Sequence, residues 1–248
     1  MKTLAFYNNK GGVGKTTTVI NIAYTLAQNN KKVLVIDCDG QQNLSRFFAN
    51  KEITLGIEEA LISEISPDVA FSATRYKNID VVVSTAKINN AIGIFEELSE
   101  TVKIRRLAKI KNWWANDYDF ILLDLPPALN IITTSFLSIA DEVIVPIELG
   151  TFAIQGIANV TETINKVGVK FCGCFVSKFD KSNPADFQLM ELLKNNLGNK
   201  SFENNIPYSR VVKNSISYKL TAAEYMEWTE AVADYVQLTQ EILMKVGE

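Results

Sequence analysis

Two lysines flank three glycines in the stretch Asn9-Lys10-Gly11-Gly12-Val13-Gly14-Lys15-Thr16-Thr17, and these are the first residues of the chain equipped for chemistry. Glycines let backbone N–H groups converge on an anion where side chains would block the approach. A helix N-terminus behind such a loop adds unpaired donors and about half a positive charge. Lys15 would then bridge the β- and γ-phosphates of a nucleoside triphosphate, and the Thr16 hydroxyl would sit on Mg2+. The general pattern G-x-x-x-x-G-K-[ST] expects glycine where this chain has Asn9, and it asks for no second lysine. Lys10 is therefore an additional cation inside the loop.

Carboxylates supply the other half of the chemistry. Asp37-Cys38-Asp39-Gly40-Gln41-Gln42-Asn43 follows an apolar run, and Asp124 closes another, Tyr118-Asp119-Phe120-Ile121-Leu122-Leu123. Acids at the carboxyl ends of parallel strands lie where open α/β sheets bind ligands. They can hold Mg2+ through water or orient an attacking water. An apolar strand ending in Asp is the Walker B pattern, which places Asp124 at the Mg2+ shell opposite Thr16. Leu125-Pro126-Pro127 next stiffens a turn that could respond to a γ-phosphate.

The elements needed to position these groups are legible. Thr3 to Tyr7 reads as a strand and Thr17 to Gln28 as an amphipathic helix, with Val19, Ile22, Ala23, Leu26 and Ala27 on one face. Lys32 to Asp37 does not alternate and reads as a strand buried on both faces, completing a parallel right-handed crossover. Further strands are expected at Ile79 to Ser84, Tyr118 to Asp124, Glu142 to Ile147, Val169 to Ser177 and a short one at Ile206-Pro207. Helices are expected at Ile57 to Ile62, Asn89 to Leu98, Val102 to Trp114, Ile154 to Val167 and Pro184 to Leu197. Arg105, Arg106, Lys109 and Lys111 read as a solvated helix face. Tyr208-Ser209-Arg210 reads as the start of an exposed basic loop. A final helix is expected to dock through Tyr225, Trp228, Val232, Val236, Ile242 and Leu243. The fold class is α/β: one P-loop NTPase domain over residues 1–248, three-layered, with a mostly parallel twisted sheet flanked by helices on both faces.

Composition narrows the chemistry. The 248 residues are 47% hydrophobic and 21% charged, and no apolar run approaches the ~20 residues that span a bilayer. The first strand starts at once, which predicts neither a signal peptide nor an appended N-terminal module. Histidine is absent, so His-based acid–base chemistry and His-ligated zinc are excluded. Cys38, Cys172 and Cys174 lack disulfide-framework spacing and read as buried thiols in a cytoplasmic protein. The net charge of −3 conceals a gradient. Lys166 to Lys219 holds nine Lys/Arg against four Asp/Glu, whereas Leu220 to Glu248 holds six acids and one lysine.

These pieces together resemble the ParA/Soj group of partition ATPases, in the deviant Walker A class with MinD and the nitrogenase iron protein. The resemblance rests on Lys10 to Thr18, on Asp37 to Leu44, on Tyr118 to Pro127 and on Ala140-Asp141-Glu142-Val143-Ile144-Val145-Pro146. It implies an Mg2+-dependent ATPase whose catalytic residues are Lys10, Lys15 and Asp39. Lys10 resembles the signature lysine that crosses an ATP-sandwich homodimer to the partner's phosphates, supplying charge as an arginine finger does. Asp39 resembles the acid that positions the attacking water, and Asp37 a supporting group near Mg2+. The implied nucleotide site is Lys10, Gly11, Gly12, Val13, Gly14, Lys15, Thr16 and Thr17, with adenine near Ser177, Lys178, Pro207 and Tyr208. The implied metal set is Thr16, Asp37, Asp39 and Asp124.

The resemblance further implies nonspecific DNA binding by the dimer, release triggered by a ParB-like adaptor, and a nucleoid-associated protein without the helix-turn-helix extension of longer forms. Lys181, Arg210, Lys213 and Lys219 are the candidate DNA contacts. Gly40 stands where the group usually has proline, which is expected to loosen that switch. A MinD-like membrane-cycling ATPase is the alternative, but it needs a basic amphipathic C-terminus and this one is acidic. An iron–sulfur reductase would need cysteines near Leu125 to Thr134, where there are none.

Overall fold

The computed structural model describes residues 1–150 and 153–248. In chain order the first half comprises β1 (Lys2–Phe6), α1 (Lys15–Gln28), β2 (Val33–Asp37), α2 (Asn43–Phe48), α3 (Glu58–Ile62), β3 (Phe71–Ala73), β4 (Ile79–Val82), α4 (Ile88–Glu97), α5 (Glu100–Trp113) and β5 (Phe120–Asp124). The second half comprises α6 (Ile131–Ile139), β6 (Glu142–Glu148), α7 (Ala153–Val167), β7 (Lys170–Phe179), α8 (Pro184–Leu197), β8 (Ile206–Pro207), α9 (Arg210–Ser217), α10 (Ala222–Tyr225) and α11 (Glu230–Val246). Among the described residues eight strands form one sheet in the order β3-β4-β2-β5-β1-β6-β7-β8, parallel except for the β3–β4 pair.

The central strands are continuous apolar runs because both sheet faces are covered. Every residue of β2 and β5 is buried. One helical layer joins α1 to α2, α11 and the α9–α10 corner, and the other runs through α4, α5, α6 and α7. The register sets β2 and β5 side by side with Asp37 opposite Asp124, while Phe6 of β1 pairs with Asp124 from the other side. Three strands therefore end at one level. That brings the loop after β1 and the acids after β2 and β5 to the same edge.

Two expectations need correction. The segment after Tyr208 is a helix rather than a loop: Ser209 Oγ accepts from Val212 N and caps α9. The expected final helix is two helices. Thr221 and Glu224 form a capping box that starts α10, and Thr229 separately caps α11. The break shifts the helical phase, so α11 buries Ala231, Tyr235, Leu238, Ile242 and Val246, while Trp228 lies 89% exposed. The basic face of α5 is solvated, as expected, with Arg105 65% exposed and Lys109 exposed, and three of its cations have partners. Arg105 pairs with Glu64 at 2.6 Å, Arg106 donates to the Leu61 carbonyl at 2.6 Å and Lys111 pairs with Asp141 at 3.2 Å. Cys38, Cys172 and Cys174 are free and buried. Burial pushes the thiols of Cys172 and Cys174 up to about 12.

A candidate nucleotide site at the strand ends

Gly12 and Gly14 adopt φ 78 and φ 86, a backbone that favours glycine and turns the loop back over α1. Gly14 is the N-cap of α1 and offers no side-chain cap, and the first turn of α1 has no acid. The donors at this helix start are thus left for an external anion. The Lys15 ammonium lies within the loop, donating to the carbonyls of Asn8 at 3.1 Å and Lys10 at 3.2 Å. Burial lowers the Lys15 pKa, opposed by the nearby charges of Asp124 and Asp39.

The loop is clamped from the end of β7. Ser177 Oγ donates to the Val13 carbonyl at 2.7 Å, and Lys178 Nζ donates to the Gly12 carbonyl. Opposite stands the acid-bearing segment after β2. Asp37 is fully buried: its Oδ1 accepts from Asp39 N at 3.0 Å, and its Oδ2 accepts from Ser45 N at 2.8 Å and Ser45 Oγ at 2.7 Å. Burial pushes Asp37 up to about 6, against the pull of those hydrogen bonds. The Ser84 Oγ donates to the Asp39 carbonyl at 2.7 Å, which ties the segment to the end of β4. Gly40 leaves room for Asn89, whose Nδ2 would lie 2.7 Å from any added Cβ.

Asp124 lies close enough to the Thr16 side chain for it to lower the acid's pKa, and its Oδ1 is buried without a partner. Burial, reinforced by the charge of Asp37, pushes it up to about 8. An orphaned carboxylate oxygen beside a threonine hydroxyl is a hard-oxygen donor set suited to Mg2+. Among the described residues no three His, Cys, Asp or Glu side chains form a metal-binding group. The protein thus offers a partial set, fitting an ion that completes its shell with phosphates and water. Asp37 is the least available of the acids, since both its oxygens already accept hydrogen bonds.

A cleft of about 560 Å3 runs between these groups, lined by Gly11, Gly12, Gly14, Lys15, Thr16, Thr17, Asp39, Pro127 and Lys178. Arg46, Phe47, Ile216 and Lys219 line it as well. Lys10 is not on this wall: it lines a separate hollow of about 300 Å3 with Asn8, Asn9, Gly150, Ala153, Gly156 and Ile157. Pro207 and Tyr208 line a third, of about 270 Å3, together with Phe179, Lys181, Glu230 and Asp234. The residues expected around adenine are therefore divided, with Lys178 on the phosphate cleft and Pro207 and Tyr208 in the adjoining hollow. The four candidate DNA contacts are divided as well. Arg210 and Lys213 are exposed on α9, Lys181 pairs with Glu230 at 2.8 Å, and Lys219 lines the phosphate cleft. Sequence reasoning passed over Ser45 and Ser84; nothing in their local pattern marks them, because their partners are 8 and 45 residues away in sequence.

Comparison with known proteins agrees with this geometry. Soj, the chromosome-partitioning ATPase of Treponema pallidum, is 28% identical, the match covering 100% of this chain and 99% of that one. ParA, the chromosome partitioning protein of Caulobacter vibrioides, is also 28% identical, over 99% and 95%. Among solved structures, cobyrinic acid a,c-diamide synthase of Mycobacterium smegmatis with bound ADP and magnesium superimposes with a TM-score of 0.81 at 21% identity, covering 100% of this chain and 97% of that one. MinD of Pyrococcus horikoshii with Mg-ADP gives 0.79 at 20% identity, covering 97% and 95%. These structures share the three-layer fold, in keeping with the α/β class expected from the sequence. The AAA domain family is matched over residues 1–172, more than half of the chain and the part that carries the loop and all three acids, and the chain belongs to that family.

Proposed function

We propose that this chain is an ATP-switched partition ATPase that uses Mg2+. The observation that carries the reading is the convergence, at one sheet edge, of an uncapped glycine-rich helix start with Asp39, the orphaned Asp124 oxygen and the Thr16 hydroxyl. Full-length similarity to proteins named as chromosome-partitioning factors supports partition over the synthetase chemistry that the same fold also hosts.

In this reading the loop N–H groups and the Lys15 ammonium hold the β- and γ-phosphates. Mg2+ would be held by Thr16 and Asp124 and would neutralise charge developing on the phosphoryl oxygens. Asp39, whose backbone is fixed by Asp37 and Ser84, orients the attacking water. Lys10 serves the cleft of a second copy, a role supported by its place on a hollow outside its own cleft. The ATP-bound homodimer binds DNA without sequence preference through Arg210 and Lys213, and a ParB-like adaptor stimulates hydrolysis and release. The last helix carries Glu230, Asp234 and Glu241 against one Lys245, so a MinD-like docking on anionic lipid is disfavoured.

The test is retention on nonspecific double-stranded DNA, with and without MgATP, across a salt series. Binding should need ATP and weaken with salt, log K falling by about 0.9 per phosphate contact for each tenfold rise. Binding indifferent to nucleotide, or a flat salt slope, refutes the proposal. Lys15→Gln should lose ATP binding, Asp39→Ala should trap an ATP-bound dimer, and Lys10→Ala should bind ATP yet stay monomeric in light scattering.

A further inference from the structure

Lys219 has φ 55, in the left-handed region that L side chains rarely adopt. It follows the last turn of α9, where Lys219 N donates to the Ile216 carbonyl at 3.0 Å and Leu220 N to the Ser215 carbonyl at 2.9 Å. Glycine is the usual residue at this helix-ending position. A lysine here disfavours the fold locally, which calls for a reason in its side chain.

The surroundings hold it in place. Arg75 Nη2 donates to the Lys219 carbonyl at 2.6 Å and to the Tyr76 hydroxyl at 2.6 Å. That hydroxyl in turn donates to Glu224 Oε2 at 2.6 Å. The Tyr76 ring packs edge-on against Tyr24 and Phe48 at 5.8 and 5.7 Å, and lies parallel to Phe47 at 6.4 Å. The backbone of Lys219 is thus tied through Arg75 to Tyr76 and Glu224. Among the other cations on that cleft, Lys15 and Lys178 donate to carbonyls of the loop and Arg46 donates to Gln42 at 3.0 Å. Lys219 is exposed and takes part in none of the ion pairs formed by the described residues.

We propose that Lys219 is a phosphate-binding residue of the nucleotide cleft and that Arg75 is the positioning residue that keeps it there. This rests on the cleft being the nucleotide site. It replaces the expectation that Lys219 contacts DNA: Arg210 and Lys213 stand on α9 itself, whereas Lys219 lies past its C-terminal end and lines the cleft that the phosphate loop also lines.

The experiment is calorimetric titration of the full chain with MgATP, paired with thermal melting without nucleotide. Lys219→Gly should weaken ATP binding ~10-fold through loss of a charge-assisted contact. The same change should raise the melting temperature by about 2–4 °C, because glycine fits the left-handed backbone. A rise in stability joined to a loss of affinity is an outcome that a merely structural residue would not give. Lys219→Arg should keep affinity within ~3-fold. Arg75→Ala should weaken binding ~3-fold or more in the native background and have no further effect beside Lys219→Gly. If Lys219→Gly binds ATP like the native chain while Lys15→Gln does not, Lys219 has no part in the cleft and the inference is overturned alone. If the native chain binds no MgATP, the nucleotide reading fails and takes the inference with it. Additive losses for Arg75→Ala and Lys219→Gly overturn the positioning role.

Discussion

Ser45→Ala should destabilise the protein far more than the removal of one hydroxyl suggests. Ser45 is fully buried at the start of α2, and its Oγ works in two directions. It donates to Asp37 Oδ2 at 2.7 Å and accepts from Ser84 N at 3.0 Å. Alanine removes a hydrogen bond to a carboxylate, for which about 1.5–3 kcal/mol is usual, and leaves the buried Ser84 N–H unsatisfied, costing about 1–3 kcal/mol. The two losses share one atom and do not add fully, so about 3 kcal/mol is expected. For a chain of this size that lowers the melting temperature by roughly 6–12 °C. Urea titration followed by circular dichroism reads the effect as a shift in midpoint at constant slope. Ser45 joins the end of β2 to the segment after β4 through a buried side chain that water cannot replace. A loss below about 1 kcal/mol would show that water or the Ser45 N–H to Asp37 bond at 2.8 Å suffices, and the argument would fail.

Gly173→Ala should cost about 2–4 kcal/mol, since its Cβ would lie 2.5 Å from the Lys200 carbonyl oxygen and neither strand nor turn can yield cheaply; urea midpoints check it. Gly40→Ala should cost about 1 kcal/mol in the native chain and nothing beside Asn89→Ala, because the three atoms nearest the added Cβ all belong to the Asn89 side chain. Thiol labelling at pH 8 should find Cys172 and Cys174 unreactive in the folded protein and reactive in urea, as burial holds both near 12; rapid labelling without denaturant would contradict their burial.

The loop, both acid-bearing strands and the sheet class were legible because each is a local pattern: glycine spacing, an apolar run, a terminal Asp. The register that sets Asp37 beside Asp124 was not, since it joins strands more than 80 residues apart. Helix phase near the C-terminus was also beyond reach. The periodicity from Tyr225 through Trp228 to Val232 fits a single helix until Thr229 Oγ1 accepts from Val232 N and restarts it. Lys219 was readable only as one more positive charge in a basic segment. Its place on the cleft depends on Arg75, a contact across 144 residues.

Departures from local preference gather at one place in this molecule. Among the described residues, Asn30, Gln42, Asn78, Lys178 and Lys219 are the non-glycine positions with positive φ. Asn30 ends α1 and Asn78 precedes β4, and asparagine tolerates that backbone in turns, so neither needs a functional cause. The other three are long polar side chains with no such excuse: Lys178 and Lys219 line the phosphate cleft, and Gln42 stands between two of its lining residues, Gln41 and Asn43. Gln42 caps α2 and donates to the Ser84 carbonyl at 3.1 Å. Lys178 donates to the Gly12 carbonyl, and Lys219, just past the end of α9, lines the same cleft. Beside them lies Asp124, with a buried oxygen that no protein group satisfies. Strained backbone and unsatisfied polar atoms persist where the surrounding structure holds them and a ligand gains from them. Two lysines held this way on one cleft, with an unsatisfied carboxylate at the same sheet edge, match the groups that a polyphosphate and its cation would satisfy.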